Sequence, residues 1–185
     1  MNRIFKKTNY IDPKKTDGTK IFPFLNPKDN QSGLPFDLFD GFSIAAGEIE
    51  HGKPSKVHFH PFLTQVTLVT DGTLVVRMKE TSKDTLLFTS PPYELTVYKE
   101  QAILTPPKTF LQLTNPQKGP CKVLYITGPE YLFLMEGKKI IYDDAIILDE
   151  TWEQLAAMKW KPDAVTKPKF SEVDRKNAYK RLSRR

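Results

Sequence analysis

The chain has 185 residues, 39% of them hydrophobic and 27% charged. That is enough for one domain with a real core and too little for two, and no run of about 18 apolar residues exists to span a membrane. The net charge is +6, but from Lys159 onward six Lys and four Arg face only Asp163, Glu172 and Asp174, so the tail carries +7 and the rest −1; a nearly neutral body argues against nucleic acid, whose binders run basicity and aromatics through the folded domain.

Residues 1–35 are polar, Lys-rich and broken by proline, with scattered aromatics (Phe5, Tyr10, Phe22, Phe24). This stretch reads as an arm that wraps the domain or reaches a partner subunit. No apolar stretch follows Met1–Lys7, so no signal peptide is expected and the expected location is cytoplasmic. Cys121 is the single cysteine, which leaves no intrachain disulfide, and it reads as a buried thiol in an apolar strand.

From about Phe36 the texture changes to short β-rich runs: 42–50, 55–60, 64–70, 73–79, 85–89, 94–99, 102–105, 109–114 and 121–127. Asp71-Gly72, Pro91-Pro92 and Asn115-Pro116 punctuate them as turns. Many short strands at this spacing predict an all-β, antiparallel sandwich or barrel over residues 36–145. Residues 146–185 read as a helical, basic C-terminal segment. Thr151 followed by Gln154 predicts a capping box for a helix over 152–160, with Trp152, Leu155 and Ala156 on one face and Pro162 beyond its end. A second helix is predicted over 171–182.

The chain has three histidines, His51, His58 and His60. His51 sits beside Gly52 and reads as a turn residue. His58 and His60 are two apart in a strand-like run, so both project to one face while Val57 and Phe59 pack on the other. Two imidazoles on one strand face point to a metal site or to acid–base work. Gln112 stands one residue from Leu111 and should therefore turn to the opposite face. Arg77 lies in a strand whose facing the sequence leaves open. Tyr98, Tyr125 and Tyr131 read as core or rim residues, and Asp143-Asp144 and Asp149-Glu150 read as sequence neighbours with no catalytic pairing.

The run Gly52, His58, His60, Gln65, Gly72 resembles the first motif of the cupin superfamily, with Gln65 where a metal-binding Glu is usual. Pro106 to Leu111, followed by Asn115, resembles the second motif, with Lys108 where a Gly is usual and Leu111 where the last metal-binding His is usual. The resemblance spans about residues 40–130 and implies a jelly-roll barrel, the double-stranded β-helix. One branch of that superfamily shares both departures: the sugar-nucleotide 3,4-ketoisomerases, which act on dTDP-4-keto-6-deoxy sugars without a metal. Their aromatic before the lost His is matched by Phe110, and their apolar strand ending in Tyr by the segment from Cys121 to Tyr131. Ser55 and Lys56 stand where that branch has Arg-Gly.

The resemblance implies catalytic roles for His58 and His60, and Gln65, Lys108, Phe110 and Tyr125 as substrate-binding residues. Neutral imidazole suits both removal of a proton α to a carbonyl and its return. Three readings stay open here: an isomerase or epimerase acting on a polar, keto-sugar-like metabolite without a cofactor; a metal-dependent cupin in which His58, His60 and Gln65 weakly hold one divalent Fe, Mn, Ni or Zn; and a non-enzymatic small-molecule binder. Cupins commonly pair through barrel edges or N-terminal strands, so the expected partner is a second copy in a homodimer.

Overall fold

A computed structural model describes residues 7, 9, 11–25, 41–81, 91–162, 165 and 171–183. The expected strand over 85–89 and the expected boundary near Phe36 lie outside these residues. Twelve strands are seen among the described residues: β1 (Lys20–Leu25), β2 (Ser43–Ile49), β3 (His58–Phe59), β4 (Thr64–Asp71), β5 (Thr73–Lys79), β6 (Tyr93–Tyr98), β7 (Ala102–Thr105), β8 (Phe110–Thr114), β9 (Cys121–Gly128), β10 (Phe133–Glu136), β11 (Lys139–Asp143) and β12 (Ile146–Ile147). They form two five-stranded antiparallel sheets, ordered β1-β2-β9-β4-β7 and β12-β3-β8-β5-β6, and a separate β10–β11 hairpin. The two sheets face each other in a jelly-roll arrangement.

Alternation along the strands builds the interior. In β9, Cys121, Val123, Tyr125 and Thr127 are buried while the residues between them are not. Leu74, Val76 and Met78 of β5 and Leu111 and Leu113 of β8 join Ile49, Val69 and Val123 in one apolar cluster between the sheets. Asp71-Gly72 turns β4 into β5. Gly72 has φ +89°, and a Cβ there would stand 3.3 Å from the Cys121 backbone, so the turn needs glycine.

Register divides the barrel into an apolar and a polar end. Ile49 pairs with Cys121, whereas Ser43 pairs with Thr127, Thr127 with Gln65, and Gln65 with Thr105. Those four polar residues form one row across four adjacent strands, and all four are buried.

The arm packs on its own domain, one of the two readings its composition allows: it contributes β1, which pairs with β2 of the same chain. Ile146 and Ile147 pair with Phe59 and His58, so the final barrel strand lies inside the segment that composition marks as helical. Residues 133–143, which carry no clear signal, form the β10–β11 hairpin. The helices are α1 (Trp152–Ala157) and α2 (Glu172–Leu182), each opened by a capping box, at Thr151/Gln154 and Ser171/Asp174. Trp152 and Leu155 of α1 bury themselves on Phe59 and Phe110, outside the barrel, while Ala156 is exposed. Among the described residues no helix is long and apolar enough to cross a membrane.

Candidate functional site

A cavity of about 180 Å³ opens at the polar end of the barrel. Its walls include His58, His60, Gln65, Tyr125 and Thr127 from the strands and their flanks, Asp17 and Thr19 from the arm, and Tyr131 and Asp143 around the β10–β11 hairpin. The fold therefore brings together four of the residues the sequence singles out (His58, His60, Gln65 and Tyr125). Lys108 and Phe110, expected as substrate-binding groups, are not among the lining residues. Lys108 is an exposed turn residue at φ 62° whose backbone N–H donates to the His60 carbonyl at 2.8 Å. Phe110 is fully buried on the outer face against Phe59 and Trp160. Arg77 also faces outward, over the Trp152 ring, and Gln112 joins Ser55 to the Trp152 indole there.

Both histidines are held by the same edge. Nδ1 of His58 lies 3.0 Å from the Lys56 carbonyl, and Nδ1 of His60 lies 3.3 Å from the Asp144 carbonyl. A carbonyl only accepts, so each Nδ1 carries the proton and each Nε2 keeps its lone pair. The rings stand edge to face with centroids 5.7 Å apart. Their surroundings differ. His58 Nδ1 also faces the Asp17 carboxylate, 3.5 Å away. His60 has no such partner; burial, with His58 beside it, pushes it down to about 3, so it stays neutral. No protein atom bonds its Nε2.

The opposite wall is polar and incompletely satisfied. Gln65 Nε2 donates to Thr67 Oγ1 at 3.1 Å, which leaves the amide oxygen free for other partners. Thr127 Oγ1 and Tyr125 Oη on this wall are buried without a hydrogen bond of good geometry. Orphaned groups of this kind are costly in an empty core and are usual where a ligand or water completes them. Tyr125 owes its place to Gly47, where a Cβ would meet the tyrosine ring at 2.4 Å.

Asp17, Tyr131 and Asp143 are site residues that sequence reasoning missed. Tyr131 Oη donates to Asp143 Oδ1 at 2.5 Å, and its ring stands 5.9 Å from that of His60. Burial, reinforced by Asp144 and Asp17, raises Asp143 to about 7. A signal existed for this pair: two carboxylates set within Ile140 to Leu148, an otherwise apolar run, must be buried to a purpose. Asp17 in its polar arm offered none. Asp144 is spoken for: Arg175 of α2 donates to its carboxylate from Nε at 3.1 Å and to the Glu130 carbonyl at 2.7 Å.

Leu111 is the neighbour of His58 across β3 and β8, so an apolar side chain stands beside the histidine pair. Among the described residues no three His, Cys, Asp or Glu side chains converge as ligands.

No family model and no curated protein matches the chain. Solved structures do. The oxalate decarboxylase of Lactobacillus farciminis, in its formate complex, aligns over 91% of this chain and 40% of its own, at 16% identity and a TM-score of 0.55. The capsular polysaccharide assembling protein CapF of Staphylococcus aureus aligns over 81% of this chain and 33% of its own, at 14% identity and a TM-score of 0.50. This chain thus spans well under half of each. Both have the cupin fold, and the fold of this chain is the cupin double-stranded β-helix. At such identities the likeness extends to the fold and stops there.

Proposed function

We propose that the chain is a cupin enzyme of the isomerase or epimerase type, moving a proton within a small polar, keto-sugar-like metabolite. The observation that carries this reading is the unequal setting of two histidines on one strand face. His58 is backed by the Asp17 carboxylate, which would stabilise the imidazolium formed when Nε2 takes a proton from a carbon α to a carbonyl. His60 is held neutral by burial and is suited to accept a hydrogen bond from a ligand hydroxyl. Gln65, Thr127 and Tyr125 would orient the ligand from the facing wall. A cavity of about 180 Å³ is smaller than the ~300–1,000 Å³ of drug-sized sites, which suits a single sugar ring.

The test is turnover and deuterium uptake from D₂O with a panel of dTDP-4-keto-6-deoxy sugars. His58→Ala should lose at least about 10²-fold in kcat and lose deuterium uptake, while His60→Ala should chiefly raise KM. Equal activity in both variants overturns the reading. Ligand binding without turnover in the wild type would leave a binding module. One equivalent of Fe, Mn, Ni or Zn per chain, lost in His58→Ala, would move the assignment to a metal-dependent cupin. A homodimer also belongs to this proposal: β6 and β7 end their sheets and carry exposed Leu95, Tyr98 and Leu104.

A further inference from the structure

An isomerase with one base needs a second group to protonate the developing enolate oxygen, and neither histidine can do so. Each is fixed with its proton on the Nδ1 edge, against a backbone carbonyl. Gln65 is a weak donor, and its amide is partly committed to Thr67.

We propose that Tyr131 and Asp143 are this second half of the site, a proton relay in which Tyr131 Oη meets the substrate oxygen and Asp143 recharges it. The inference rests on the isomerase reading above and adds to it the acid. Both residues line the cavity, across the His60 ring from His58. The phenol donates to the ionised carboxylate across their 2.5 Å contact; once Asp143 is protonated its O–H donates to Tyr131 Oη instead and turns the phenol proton toward the substrate. Burial with the neighbouring carboxyls holds the phenol far above its ordinary range, so it stays protonated. Asp143 itself loses its proton only near neutrality, because burial outweighs the hydrogen bonds it accepts from Tyr131 and from the Ala145 N–H.

The groups around Asp143 come from several elements: Tyr131 and Ala145 bond it, Asp144 adjoins it in the chain, and Asp17 adds its field from the arm. Arg175 reaches Asp144 from α2. The relay keeps the one cation among them on Asp144, so the more weakly compensated carboxyl is the one that faces the cavity.

The step balances without a co-reactant. His58 Nε2 takes the proton from the carbon next to the carbonyl, and the C–H electron pair becomes the new C=C bond. The carbonyl π pair moves to oxygen, which takes the proton from Tyr131 Oη as Asp143 passes its own to the phenolate. In the second half the adjacent hydroxyl returns its proton to Tyr131 and on to Asp143, while the His58 imidazolium protonates the former carbonyl carbon. The carbonyl has moved by one carbon and both relays are reset.

The experiment uses the full chain and a dTDP-4-keto-6-deoxyhexose, with kcat followed against pH for the wild type, Asp143→Asn and Tyr131→Phe. The acid must be protonated to act, so wild-type kcat should fall as pH rises through about 7. Asp143→Asn should remove that limb and lower kcat about 10²-fold with little change in KM. Tyr131→Phe should lose a similar factor, and it carries the test if Asp143→Asn fails to fold. Either variant retaining half the wild-type kcat with an unchanged pH profile overturns the relay and leaves the His58 assignment standing. A wild type inactive on this substrate and on the wider panel overturns both.

Discussion

Two buried groups, Asp143 and His60, make opposite demands on the folded state. Burial raises Asp143 from an ordinary 3.8 to about 7, so the folded protein binds this proton more tightly than the unfolded chain does, and stability falls as pH rises from about 4 to 7. Burial lowers His60 from 6.5 to about 3, so the unfolded chain holds the proton more tightly and stability rises over roughly pH 3 to 6.5. Each effect is worth up to about 4–5 kcal/mol at ~1.36 kcal/mol per pH unit, and within the shared window they nearly cancel. Urea midpoints measured across pH should show Asp143→Asn gaining on the wild type as pH rises from 4 to 7, and His60→Asn losing ground from 3 to 6.5. Parallel curves would show that neither group is buried as described. Gly47 makes a second residue-scale case, since an added Cβ would meet Tyr125 at 2.4 Å and Val123 at 2.8 Å. Gly47→Ala should therefore cost about 1–3 kcal/mol and displace Tyr125 from the cavity wall, visible as a lost or shifted tyrosine signal in near-UV circular dichroism.

At the scale of elements, strand parity separates what the sequence made legible from what it did not. The same face for His58 and His60, and the opposite face for Gln112, follow from the two-residue period of a strand, and both are seen. The family resemblance implies a site role for Phe110, yet it adjoins the inward Leu111 and the same period turns it out to Trp160. Lys108 shapes the site through its backbone while its side chain stays in solvent. The capping boxes of α1 and α2 were written in Thr151/Gln154 and, less openly, in Ser171/Asp174. What α2 does could not be read from its basic composition. Arg175 pairs with fully buried Asp144, whose carbonyl holds His60, while Ala178 and Leu182 pack on Leu132, Leu134 and Tyr142. Arg175→Met removes one side of a buried pair and should cost about 3–5 kcal/mol, whereas the double variant with Asp144→Asn should recover part of that loss. Thermal unfolding of the two variants decides this; additive losses would mean that the pair is not coupled.

At the scale of the molecule, a barrel with an apolar end and a polar end leaves exposed edges at β6 and β7. Light scattering should give twice the chain mass, and Leu104→Glu should halve it without unfolding the barrel; a wild-type monomer would sink the dimer proposal. Local sequence determined most strands between Ser43 and Gly128, the turn at Asp71-Gly72, the helix caps and the shared facing of the histidine pair, because each depends on neighbours within a few residues; β1, β10, β11 and β12 were not legible this way. Hydrophobic alternation over many short strands narrowed the fold to an antiparallel sandwich or barrel, and the resemblance of the Gly52 to Gly72 run to a cupin motif implied which barrel. Only the tertiary structure decided which carboxylates reach the site. Asp17 arrives because the arm folds back on β2, and Asp143 because the β10–β11 hairpin closes on the barrel under the hold of Arg175 on Asp144. The raised pKa of Asp143 comes from burial against distant segments, and desolvation is a property of the packed molecule that no stretch of sequence carries alone.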